Sequence, residues 1–69
     1  LIILPLKFYV NLKKQINNIS FMPYRYRKSI TADDENIRDL IFKGYVMPFF
    51  IDKENNTIEI LSIYSKNQP

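Results

Sequence analysis

The stretch from Ile37 to Tyr64 constrains the fold more than any other part of the chain. It holds three short apolar segments, Ile37 to Phe42, Tyr45 to Ile51 and Thr57 to Tyr64, separated by two turns. The first turn is Lys43-Gly44, where glycine supplies the positive φ of a tight hairpin. The second is Asp52-Lys-Glu-Asn-Asn-Thr57, polar and rich in turn formers. Three strands joined by short turns predict an antiparallel meander. The middle strand is apolar almost throughout, as expected of a strand buried on both faces. Pro48 interrupts it; lacking an N–H, it requires a bulge or a locally unpaired edge. In the third strand Ile58 and Ile60 are expected to point one way, and Leu61 and Ile63 the other.

Upstream, residues Leu6 to Ile19 carry a helical pattern. Tyr9, Leu12, Ile16 and Ile19 recur at helical spacing on one face, and Phe8 joins the stripe. Lys7, Asn11, Lys14 and Asn18 fall on the opposite, wet face. Pro5 suits the first turn, where its missing N–H costs nothing. Met22-Pro23 closes the helical region, because proline restricts the residue before it. Tyr24-Arg-Tyr-Arg-Lys28 alternates aromatic and basic residues, a pattern for an extended segment with rings on one side and cations on the other. Thr31-Ala-Asp-Asp-Glu-Asn36 reads as a polar loop; one helical turn capped by Thr31, with Asp34 at the third position, is the alternative. The whole predicts an α+β fold: one amphipathic helix packed on a three- to four-stranded antiparallel sheet.

Sixty-nine residues make one small domain, 1–69. A chain this short buries only about 60% of its unfolded surface, so its stability margin is thin. Without cysteine there is no disulfide, thiol chemistry or thiolate metal site. Without histidine there is no imidazole base. The lack of disulfides fits a reducing cytoplasm. The net charge of +3 permits contact with nucleic acid or an acidic partner and requires neither. Leu1-Ile-Ile-Leu4 is far shorter than the roughly 20 apolar residues of a membrane span, and no signal-peptide pattern is present. A start at leucine is what a fragment or processed product would show. Asn67-Gln68-Pro69 is expected to fray.

Candidate sites are few. Arg25, Arg27 and Lys28 can pair with phosphates while Tyr24 and Tyr26 stack on bases. The same residues also fit a solvated strand face with its tyrosines packed on the helix. Asp33, Asp34 and Glu35 form a carboxylate run, but no glycine-containing calcium loop of about twelve residues surrounds it, so no metal or other cofactor is expected. Phe21, Tyr45, Phe49 and Phe50 read as core.

In order along the chain, these features resemble the RelE/ParE superfamily, the toxin half of bacterial type II toxin–antitoxin pairs. Ile16-Asn-Asn-Ile19-Ser-Phe-Met-Pro23 is similar to the end of that family's second helix. Tyr24-Arg-Tyr-Arg-Lys28 matches its basic strand or loop. Ile37-Arg38-Asp-Leu40, then Gly44-Tyr45-Val46-Met47-Pro48-Phe49-Phe50-Ile51-Asp52, follow its central strands, and Ile58-Glu-Ile60-Leu61-Ser62-Ile63-Tyr64-Ser65 its closing strand. The likeness spans roughly residues 6 to 68 and corresponds to the C-terminal two-thirds of such a toxin. The family's opening strand and first helix have no counterpart here, so either the chain is N-terminally truncated or Leu1 to Leu4 is a remnant of the missing piece. The family's frequent C-terminal histidine falls at Ser65, and a frequent arginine at Ser62.

The resemblance implies one of two actions. One is ParE-like inhibition of a target such as DNA gyrase, neutralised by a cognate antitoxin and needing no chemistry from this chain. The other is RelE-like, ribosome-dependent cleavage of mRNA. Without histidine, cleavage would fall to Arg38, Tyr64 and Lys66. A tyrosine hydroxyl titrates near pH ~10 in peptides and needs strong perturbation to act as a base; Lys66 would stabilise the phosphorane. Arg38 matches a family position often basic and exposed on the concave sheet face; a cross-strand ion pair with Glu59 or Asp52 is its structural alternative. The absent histidine favours the ParE-like action, with no enzyme activity. A third possibility is an inactive remnant that binds antitoxin or RNA. Self-association along a free sheet edge is also expected to be open to such a chain.

Overall fold

The computed structural model describes Ile3 and residues 5–66. The expectations for Leu1, Ile2 and Leu4, and for a frayed Asn67-Gln68-Pro69, lie outside them. Helix α1 spans Leu6–Ile19, with Pro5 as its N-cap and Ser20 as its C-cap. It buries Leu12 and Ile19, and Phe8 and Ile16 pack beside them. Tyr9, expected on this stripe, lies at its margin and is 52% exposed. Strands β1 (Ile37–Phe42) and β2 (Tyr45–Asp52) pair antiparallel, Ile37 opposite Phe50 and Phe42 opposite Tyr45. Strand β3 (Thr57–Ile60) lines the other edge of β2, and a two-residue strand β4 (Tyr64–Ser65) pairs further along it. The fold is therefore α+β, with one helix on a four-stranded antiparallel sheet. No helix among the described residues is long and apolar enough to cross a membrane.

Leu40, Met47, Phe49 and Ile51 project from one sheet face and meet Leu12 and Ile19 of the helix. The rings of Phe42 and Tyr45 stand 5.4 and 5.5 Å from Phe8, so the start of α1 lies at the Lys43-Gly44 end of the sheet. Its far end lies over the start of β1, where Tyr26 meets Phe49 edge to face at 5.5 Å. Phe21, expected in the core, is 88% exposed. It sits in the turn just after α1, and Pro23 redirects the chain so that Tyr26 fills the core instead.

Pro48 explains why the third strand breaks. Asp39 lies opposite Pro48 and sends its N–H away from β2, to the Arg27 carbonyl at 3.0 Å. The proline nitrogen therefore faces the third strand, where it can give no ladder bond. Pairing stops at Ile60, Leu61 N–H bonds the Pro48 carbonyl at 2.9 Å, and pairing resumes only at Tyr64. A single strand from Thr57 to Tyr64 is thus corrected to two short ones.

The hairpin turn has both central residues at positive φ, Lys43 at 47° and Gly44 at 84°, the pattern of a two-residue turn matched to strand twist. A Cβ on Gly44 would meet nothing within 4 Å. Gly44→Ala should therefore cost only the backbone penalty, about 1–2 kcal/mol. Thermal unfolding should show Tm falling by about 4–8 °C per kcal/mol. An unchanged Tm would mean that the turn readily adopts another form.

Candidate functional site

The basic stretch does not run as one extended segment. Pro23–Arg25 is a single 3-10 turn, entered from Met22 and left through Tyr26, which is extended. Proline fixes φ at the first position of the turn. Only around Lys28 does the chain pair with β1, through a bridge between Lys28 and Arg38. Its rings and cations therefore do not separate onto two faces.

Each of these residues has a distinct local role. Arg27 lies opposite Asp39 and reaches Oδ2 with Nε at 3.2 Å and Nη2 at 3.0 Å. The Asp39 side chain is 0% exposed and that of Arg27 is 41% exposed. A guanidinium at the rim thus neutralises a carboxylate inside. Lys28 pairs with Asp33 at 3.2 Å and Glu35 at 3.6 Å. The hydrogen bond to Asp33, then the charges of Asp33 and Glu35, hold its ammonium above the usual lysine range. The carboxylate run is an exposed loop that supplies these partners, and among the described residues no group of acidic side chains is arranged to hold a metal ion. Tyr26 is a core residue. Tyr24 donates its hydroxyl to Asn36, with Arg38 and Lys53 each 5.0 Å from its ring centre. Of this set only the Arg25 side chain has no partner among the described residues.

Arg38 does not pair with Glu59 or Asp52, and it is not an open cation. Its side chain is 14% exposed. Nε bonds the Glu35 carbonyl at 2.8 Å, Nη1 bonds the Tyr26 and Tyr24 carbonyls at 3.0 and 3.2 Å, and Nη2 reaches the Glu35 carboxylate at 3.3 Å. Arg38 thus ties the crossing segment to the loop before β1. It shares the helix-side face with Leu40, opposite Phe49. Tyr64 lies opposite Val46, on the other face and three residues further along β2, or roughly 10 Å. Lys66 follows at the hairpin end, its N–H bonded to the Gly44 carbonyl at 2.7 Å. Tyr64 and Lys66 are therefore neighbours, and Arg38 is apart from both.

The residue that sequence reasoning missed is Asp39. A carboxylate in mid-strand, flanked on its own face by Ile37 and Ile41, is its signal, and Arg27, twelve residues earlier, is its answer. Asp39 Oδ1 is buried and has no hydrogen-bond partner among the described residues. Compared with known protein families, curated proteins and solved structures, the chain matches none.

Proposed function

We propose that the chain is a toxin component of the RelE/ParE type, acting in the cytoplasm by ParE-like binding of a target such as DNA gyrase and neutralised by a cognate antitoxin. The ordered resemblance supports the family. The observation that carries the mechanism is the separation of Arg38 from Tyr64 and Lys66. RNA cleavage needs a base, a stabiliser of the phosphorane and a proton donor around one phosphate. Arg38 is engaged by three carbonyls and a carboxylate on one face, while Tyr64 sits on the other. A target-binding protein needs only surface, and this one has exposed apolar side chains at Leu6, Tyr9, Val10 and Leu61.

Inducible expression should arrest growth, and co-expression of the neighbouring antitoxin gene should relieve it. The purified chain should inhibit supercoiling by gyrase and leave ribosome-bound mRNA uncut. Tyr64→Phe keeps the ring and removes only the hydroxyl, so growth inhibition should stay within about twofold of the parent. Site-specific cuts in mRNA that disappear in Tyr64→Phe would reinstate the nuclease. No growth effect at all would leave the inactive, antitoxin- or RNA-binding remnant.

A further inference from the structure

The outer edge of β1 is closed over only part of its length. At one end Ser29 N–H donates to the Ile37 carbonyl at 2.8 Å, and Asp39 N–H to the Arg27 carbonyl at 3.0 Å. The chain before Arg27 then turns away into the Pro23–Arg25 turn. Odd-numbered residues of β1 point their backbone groups away from β2, so Asp39 C=O and Ile41 N–H and C=O lie on this edge. None of the three has a backbone partner among the described residues. A groove of about 440 Å³ runs beside them, walled by Gln15 of α1, by Arg25, Tyr26 and Arg27, and by Asp39 and Ile41.

One further observation points to a partner there. Arg25 brings a guanidinium with no partner among the described residues. We propose that the groove is a strand-docking site, in which an extended, acidic segment of a second polypeptide adds antiparallel to β1 at Ile41. It continues the ladder that residues 27–29 begin. Its backbone satisfies the Ile41 N–H and C=O. A carboxylate of that segment meets Arg25. A second copy of this chain fits poorly, because it would set Arg25 and Arg27 against their own images. The carboxylate lining the groove, Asp39, is already bound to Arg27. The site stands independently of the toxin reading.

The probe is a fluorescent octapeptide of alternating Thr and Glu, with alternating Thr and Lys as its counterpart. The Thr/Glu peptide should bind and protect the Ile41 amide from hydrogen exchange, and the Thr/Lys peptide should bind at least about tenfold more weakly. Ile41→Pro removes the edge N–H while leaving the bonds to β2, as proline on an edge strand does. It should weaken binding about tenfold. Arg25→Glu, a change at a side chain without a described partner, should reverse the charge preference and does not depend on how Ile41→Pro folds. Absence of binding, or binding indifferent to peptide charge and to Arg25→Glu, overturns the proposal. So does a dimer that Ile41→Pro dissolves, since the occupant would then be a second copy.

Discussion

Phe49→Ala should leave much of the protein unfolded at room temperature. Phe49 is 0% exposed and lies at the centre of β2, between Arg38 on β1 and Ile60 on β3. Its ring meets Tyr26 edge to face. Truncating a buried phenylalanine costs about 3–5 kcal/mol, from lost transfer energy and the cavity left behind. A domain of this length has roughly 3–10 kcal/mol in total. Urea denaturation should show a midpoint near zero or a missing native baseline. Phe49→Leu, which keeps most of the volume, should retain a cooperative transition. A Phe49→Ala variant whose Tm falls by less than about 5 °C would place the centre of the core elsewhere.

The second large effect is expected at the pair of Arg27 and Asp39. Arg27→Ala leaves the Asp39 carboxylate buried without its counter-charge. Breaking a buried pair from one side costs about 3–5 kcal/mol. The exposure of Arg27 admits water and places the expected loss near the lower end, about 3 kcal/mol. The double change Arg27→Met with Asp39→Leu should recover most of it, because neither charge then remains to be solvated. Urea denaturation of Arg27→Met, Asp39→Leu and the double variant measures the coupling directly. Additive losses would mean that the pair is not coupled and that Asp39 is solvated by some other route.

These effects shape how the basic segment should be read. Arg27 and Lys28 are cations in a pattern that sequence alone assigns to a wet strand face ahead of phosphate contact. In the structure one neutralises a buried carboxylate and the other pairs with Asp33 and Glu35 of the loop. Arg38 follows the same logic. Alternation along β1 puts it on the helix side, beside Leu40, where a guanidinium can persist only by satisfying carbonyls. Among the described residues, Arg25, at the mouth of the groove, and the lysines of the helix remain open to a partner, while Lys43 at the hairpin stands over the Phe42 ring.

Helix α1 and the hairpin were legible because their signals are local. The apolar spacing of Leu12, Ile16 and Ile19 fixes the helix face, and Pro5 and Pro23 limit it from either side. Lys43-Gly44 fixes the turn, and with it the register that sets Ile41 opposite Val46 and Leu40 opposite Met47. Pro48 signalled a bulge or a locally unpaired edge, because a missing N–H is a property of the residue, but the sequence reading did not place the break in the third strand. The failures lie where a side chain's neighbour is distant in sequence. Whether Phe21 or Tyr26 enters the core depends on the path of the chain through Pro23–Arg25. The partners of Arg27, Arg38 and Lys28 come from elements brought alongside by folding. Sequence thus determined which segments form and which faces they bury, through periodicity and turn geometry acting over a few residues. Only the tertiary structure decided which charges are buried, which are paired and which strand edge stays open, because those outcomes depend on desolvation and contact between residues a dozen or more positions apart.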